Sequence, residues 1–111
     1  MKHYEGRPSK DGATVTVRQD GAEPKNLRPR FDLRNHSPTG YGWAYCGSGP
    51  AQLALALAAD VLGDDDRAQE VYQDLKFQLV ARLPEAGWTL SEQQIRSAIE
   101  GIERGRARRN R

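Results

Sequence analysis

The sequence predicts an α+β fold: a small antiparallel sheet of about three strands packed on three helices, with helix one (50–62) central and buried. Three observations predict it. Ala13-Thr14-Val15-Thr16-Val17-Arg18 is β-branched and alternating, the pattern of a half-buried strand. Ala51 to Leu62 is almost wholly apolar, as a helix buried on most sides must be. Beyond residue 64, apolar residues recur at helical spacing. Strands come first and helices after, which is the α+β order.

Lys2 to Arg7 reads as a short extended segment, ending at Gly6 and Pro8. Ser9-Lys10-Asp11-Gly12 is a turn signal, strongest at Asp-Gly. The strand over 13–18 puts Ala13, Val15 and Val17 on one face. Asp20-Gly21 marks another turn, and Pro24 to Pro29 is irregular. Arg30-Phe31-Asp32-Leu33-Arg34 alternates and predicts a third strand, with Phe31 and Leu33 inward and the charges outward.

Pro50 suits the first position of helix one, because its missing N–H would be unpaired there, and Ser48 or Gly49 is the expected cap. Gly63 is the expected left-handed stop. Asp64, Asp65 and Asp66 favour the start of helix two. Ala68, Val71, Tyr72, Leu75, Leu79, Val80 and Leu83 form its apolar stripe, Phe77 lies off that stripe, and Pro84 ends it. Trp88 is expected to plug the gap between helices two and three. Ser91 and Gln94 form a capping box for helix three, stapled by Leu90 and Ile95, and Ile95, Ala98, Ile99 and Ile102 are its buried face. Residues 1–103 thus read as one α+β domain and 104–111 as a disordered basic tail.

The net charge of +2 conceals a segregation. Residues 1–50 carry a surplus of three basic residues, 51–100 a surplus of five acidic ones, and 101–111 a surplus of four basic ones. Such asymmetry bears on partner choice more than on fold. No long apolar run suggests a membrane span, the first residues lack the apolar stretch of a signal peptide, and a lone Cys46 forms no internal disulfide. A cytoplasmic location is therefore expected.

The 35–50 stretch, rich in Gly, Pro and aromatic rings, holds most of the candidate chemistry. His36 beside Ser37 offers a base and a hydroxyl. Adjacent residues of an extended segment face opposite ways, and no orienting third group follows, so a loop-bonding role is favoured. Ser48 and Gly49 open a helix and are candidates for holding an anion on free N–H groups, although the Lys-Ser/Thr ending of a Walker loop is missing. Tyr41, Trp43 and Tyr45 alternate. Trp43 and Tyr45 are expected to close the core, leaving Tyr41 as the exposed ring and, with His36, a candidate for contact with a ligand or partner. Cys46 reads as a small core or loop thiol. Two histidines and one cysteine match no zinc spacing, and the acids at 64–66 lack the alternation of a calcium loop, so no metal and no cofactor are expected. Arg28, Arg30 and Arg34, with Arg104, Arg106, Arg108 and Arg109, are candidates for nucleic-acid phosphates or an acidic partner. Glu92, Glu100 and Glu103 argue against helix three reading a groove.

Tyr4-Glu5-Gly6, Leu33 to Tyr41, Trp43, Tyr45, Gly47-Ser48-Gly49-Pro50-Ala51-Gln52-Leu53 and Gly87-Trp88-Thr89-Leu90 resemble a small bacterial domain of unknown function over about residues 2–103. The resemblance implies a cytoplasmic protein carried by a phage, plasmid or other mobile element, and it implies no catalytic residues. The expected function is non-enzymatic: stoichiometric binding to a host macromolecule, such as a defence-system component. A nucleic-acid accessory role through the basic residues and a phosphate-ligand site at Ser48-Gly49 are the alternatives. Oligomeric state is not readable from these residues.

Overall fold

The computed structural model describes residues 1–10, 12–38 and 40–109. Strand β1 (Lys2–Ser9) pairs antiparallel with β2 (Gly12–Gln19), in register from Lys2↔Gln19 to Ser9↔Gly12. The Asp11 half of the expected Asp-Gly turn lies outside the described residues. A two-residue strand β3 (Lys25–Asn26) lines up on β2, and β4 (Trp88–Ser91) on the far side of β1. The sheet therefore has four strands, ordered β3-β2-β1-β4 and antiparallel throughout.

The α+β class is as expected, but the third and fourth strands differ from the sequence reading: β3 falls on Lys25–Asn26, within the stretch read as irregular, and not on residues 30–34. Residues 30–34 form a turn. Arg30 has φ 59°, and its carbonyl accepts from the N–H groups of Leu33 and Arg34. The apparent alternation dissolves there: Phe31 is exposed, while Leu33 packs against the core. The fourth strand falls on Trp88–Ser91, where a linker was expected. Trp88 and Leu90 point inward and Thr89 outward, which is strand alternation in a segment too short to stand out.

Helix α1 (Ser48–Leu62) is buried at every position from Gly49 to Ala59. Gly47 is its cap, in place of Ser48 or Gly49, with no side-chain bond; the Gly47 carbonyl accepts from Ala51. Gly63 closes it with φ 62°, a left-handed geometry that glycine adopts without steric cost. Helix α2 (Asp65–Gln78) starts at Asp64, whose side chain accepts from the Arg67 N–H. It stops before Leu79, short of Pro84, and a 3-10 turn follows over Val80–Arg82. There the Val80 carbonyl is shared between the N–H groups of Ala44 and Leu83.

Helix α3 (Glu92–Arg109) opens with the expected capping box: Ser91 Oγ accepts from the Gln94 N–H and Gln94 Oε1 from the Ser91 N–H. It then continues through residues 104–109, which the sequence reading took as disordered. Contacts of both signs from α2 hold this end. Arg67 makes two bonds to Glu103, and Arg106 bonds the Glu70 carbonyl at 2.7 Å and lies 3.7 Å from Asp74. For Arg106, the charge segregation of the chain is an internal pairing. The Arg109 side chain and residues 110–111 lie outside the described residues.

The core lies between the sheet and the helices. Tyr4, Val15, Trp88 and Leu90 cover one sheet face, and Ala13 and Val17 pack at its margin. Leu53, Leu55 and Leu57 of α1 are fully buried, each contributing about 1.5–3 kcal/mol by removal from water. The Trp88 indole lies against Gly6, its partner in β1, and a Cβ at Gly6 would collide with the ring. Trp43 meets Trp88 edge-on at 5.6 Å.

Candidate functional site

Among the described residues Gln52 is the one buried polar side chain that is not aromatic. Its Oε1 accepts from the N–H groups of His36 (2.7 Å) and Ser37 (3.3 Å). Its Nε2 donates to the carbonyls of Pro29 (2.6 Å) and Arg34 (3.0 Å). One amide thereby binds the backbone of residues 29–37 to α1 with four bonds. His36 Nε2 adds a 2.7 Å hydrogen bond to the Tyr72 hydroxyl, tying the loop to α2 as well. His36 and Ser37 thus meet only in that their backbone N–H groups share the Gln52 Oε1 acceptor, and the His36 ring is turned to Tyr72.

Tyr41 is half-buried and donates to the Leu27 carbonyl at 2.7 Å. Burial, with the nearby Asp60 charge, pushes its hydroxyl well above the usual tyrosine range. The exposed ring is Tyr45 instead, because Ala44 at φ 70° breaks the alternation that an extended loop would have kept. Tyr45 lies over a cradle of three glycines. A Cβ at Gly42, Gly47 or Gly49 would come within 2.6, 2.7 or 3.0 Å of it. Gly49 is buried against the Gly42 backbone, and Ser48 is exposed beside it. The anion position expected at Ser48-Gly49 is therefore crowded by a phenol. Cys46 is exposed.

The arginines divide in two. Arg30 bonds Asp32 and Asp65, which raises its already high pKa and lowers that of Asp32. Arg106 is held on α2. Arg28, Arg34, Arg104 and Arg108 are exposed and form no ion pair among the described residues. Arg28 and Arg30 line a small hollow of about 240 Å³ with Asp60. Asp60 accepts from the Tyr4 hydroxyl at 2.6 Å and from Lys2 Nζ at 3.3 Å, so a carboxylate already occupies the basic corner.

A larger concavity, about 560 Å³, lies on the outer face of the sheet. Strand alternation gathers His3, Glu5 and Arg7 from β1, Thr14, Thr16 and Arg18 from β2, and Thr89 from β4. The register arranges them in rows: His3 beside Arg18, Glu5 between Thr89 and Thr16, and Arg7 beside Thr14. Arg7 Nε lies 2.8 Å from Glu5 Oε1, yet its side chain stays 74% exposed. Pro24 forms part of the rim.

The profile of a family of unknown function, DUF6166, matches residues 4–101, from the middle of β1 to the middle of α3. The chain belongs to that family. Neither a curated protein nor a solved structure matches it.

The DUF6166 span takes in both the Gln52 clamp and the sheet-face concavity apart from His3. Sequence reasoning passed over both. Gln52 had a readable signal: one amide inside an apolar helix must find partners for all its polar atoms. The outer sheet face had none, since its residues look like the ordinary solvent side of strands until the register sets them in rows. Among the described residues, no cluster of His, Cys, Asp and Glu is arranged to hold a metal, and no helix is long and apolar enough to cross a membrane.

Proposed function

We propose that this DUF6166 member is a small non-enzymatic binding module that holds a partner protein on the outer face of its sheet. The concavity of about 560 Å³ there carries the reading. Charged and hydroxyl side chains converge there on an open face, and Arg7, although paired with Glu5, stays 74% exposed. The 35–50 loop, by contrast, commits His36, Tyr41 and the Gly49 backbone to internal packing and bonds. A host protein, such as a component of a defence system, is the kind of partner this reading has in view.

Two observations weigh against nucleic acid as the partner. Arg30 and Arg106 are engaged by acids of the same chain. The concave face offers threonines where a strand-binding sheet would offer rings for base stacking.

The test is copurification from cells of a natural host, comparing the tagged wild-type chain with Thr16→Trp. Thr16 is on the outer face, where tryptophan suits a strand and fills the concavity. A stoichiometric protein retained by wild type and lost from a normally melting Thr16→Trp supports the reading. Equal retention by both proteins contradicts it, as does recovery of no protein together with turnover of a small substrate.

A further inference from the structure

We infer that the sheet face takes an extended segment of its partner in which acidic residues stand four apart with a neutral or basic residue midway between them. This inference rests on the reading of that face as the contact surface.

Along β1, the His3–Arg18 row and the Arg7–Thr14 row are four residues apart, with the Glu5 row between. At roughly 3.3 Å per residue, their spacing is about 13 Å. An extended peptide has the same rise, and its residues i, i+2 and i+4 face one way. Laid along the strands, it sets i and i+4 over the two basic rows and i+2 over Glu5.

Charge then selects the side chains. Arg18, with His3 beside it, favours a carboxylate at one end; at the other, Arg7 pairs through Nε with Glu5 but stays 74% exposed, so the rest of its guanidinium can take a second carboxylate. Glu5 disfavours an acid in the middle and accepts a hydrogen bond from Ser, Thr, Asn or Lys. The threonine hydroxyls of Thr14, Thr16 and Thr89 both donate and accept, which suits amide and hydroxyl groups of a peptide. At the rim, Asp20 pairs with the amino terminus and His3, so it neutralises part of the His3 end and leaves Arg18 as the principal cation there. A nucleic-acid backbone fits less well, since a phosphate run would place charge over Glu5.

The experiment uses the full chain and two fluorescein-labelled peptides, one built on Glu-Ser-Lys-Ser-Glu and the other on its inverse, Lys-Ser-Glu-Ser-Lys, with a labelled oligothymidine as the third probe. Fluorescence anisotropy at low salt should show the Glu-ended peptide binding best. Arg7→Glu/Arg18→Glu should weaken it by about tenfold or more and turn the preference toward the inverse peptide. Thermal melting of the double variant near wild type establishes that the loss is local. Should the double variant melt early, Arg7→Gln and Arg18→Gln singly carry the same comparison, each expected to weaken the Glu-ended peptide. No discrimination between the peptides, tighter binding of the oligothymidine, or unchanged preference in the charge-reversed protein overturns the inference. If the peptides fail while Thr16→Trp still releases a copurifying protein, the acidic pattern is wrong and the contact face stands. If Thr16→Trp releases nothing, the face itself is wrong.

Discussion

The 27–47 loop and the outer face of the sheet both carry basic and hydroxyl residues, but they direct their polar groups in opposite ways. The loop turns inward: Gln52 holds four of its backbone groups, Tyr72 holds His36, and the Leu27 carbonyl takes Tyr41. The sheet face turns outward: Arg18 and three threonines line an open concavity, and Arg7, although paired with Glu5, stays exposed there. Polar composition by itself does not mark a binding surface. What matters is whether the fold has already supplied partners for those groups.

Stability measurements should separate the two regions, and the largest effect is expected at Gln52. Gln52→Leu keeps the volume but leaves the N–H groups of His36 and Ser37 and the carbonyls of Pro29 and Arg34 without partners. A loss of about 3–5 kcal/mol is expected in denaturant unfolding, with faster amide exchange confined to residues 29–37. A small loss with no local exchange would break the contrast, because the loop would then not depend on the clamp.

Gly6→Ala comes next. Its methyl would drive into the Trp88 ring, and overpacking of this kind costs about 1–3 kcal/mol. Tyr4→Phe removes the 2.6 Å bond to the Asp60 carboxylate and should cost about 1.5–3 kcal/mol, since a charge-assisted bond is lost. Equal melting of Tyr4→Phe and wild type would show that Lys2 alone suffices for Asp60.

Acid should act on the α3 contacts. Glu92 sits below the usual glutamate range because it accepts from the Lys2 N–H and from Arg96, and Glu103 because it is bonded by Arg67. Their folded pKa values lie below the unfolded ones. The stabilisation is therefore present above the unfolded value of 4.5 and is lost as pH falls through the folded values. Thermal melts below about pH 4.5 should fall less steeply for Glu92→Gln and Glu103→Gln than for wild type. The smallest effect belongs to the sheet face: Arg18→Ala and Thr14→Ala should change stability by within about 0.5 kcal/mol.

Much of this architecture could be read in advance where a local pattern and a tertiary demand agreed. The β-branched alternation of 13–18, the Gly63 stop and the Ser91–Gln94 box are of that kind. Residues 30–34 misled because their alternation came from charges that pair around a turn, Arg30 with Asp32 and Asp65. Trp88–Ser91 is too short for its period to be distinctive, and its strand state depends on Tyr4 and Gly6 across the ladder. The end of α3 has no apolar residue larger than Ala107, so nothing local announced a helix; the carbonyl of Glu70 and the Asp74 carboxylate hold Arg106, and Arg67 holds Glu103. At the site level, the 35–50 stretch drew attention through its glycines and rings. The structure shows what those glycines accommodate: the Tyr45 ring and a close backbone crossing of Gly42 and Gly49.

The most direct test sets one variant from each region side by side. Tyr45→Ala removes the most exposed ring of the loop, and Thr16→Trp fills the sheet concavity. With the tagged full chain expressed in host cells, the copurifying protein should be retained at wild-type stoichiometry by Tyr45→Ala and lost from Thr16→Trp. Loss from Tyr45→Ala with retention by Thr16→Trp would contradict the account and return the contact surface to the loop.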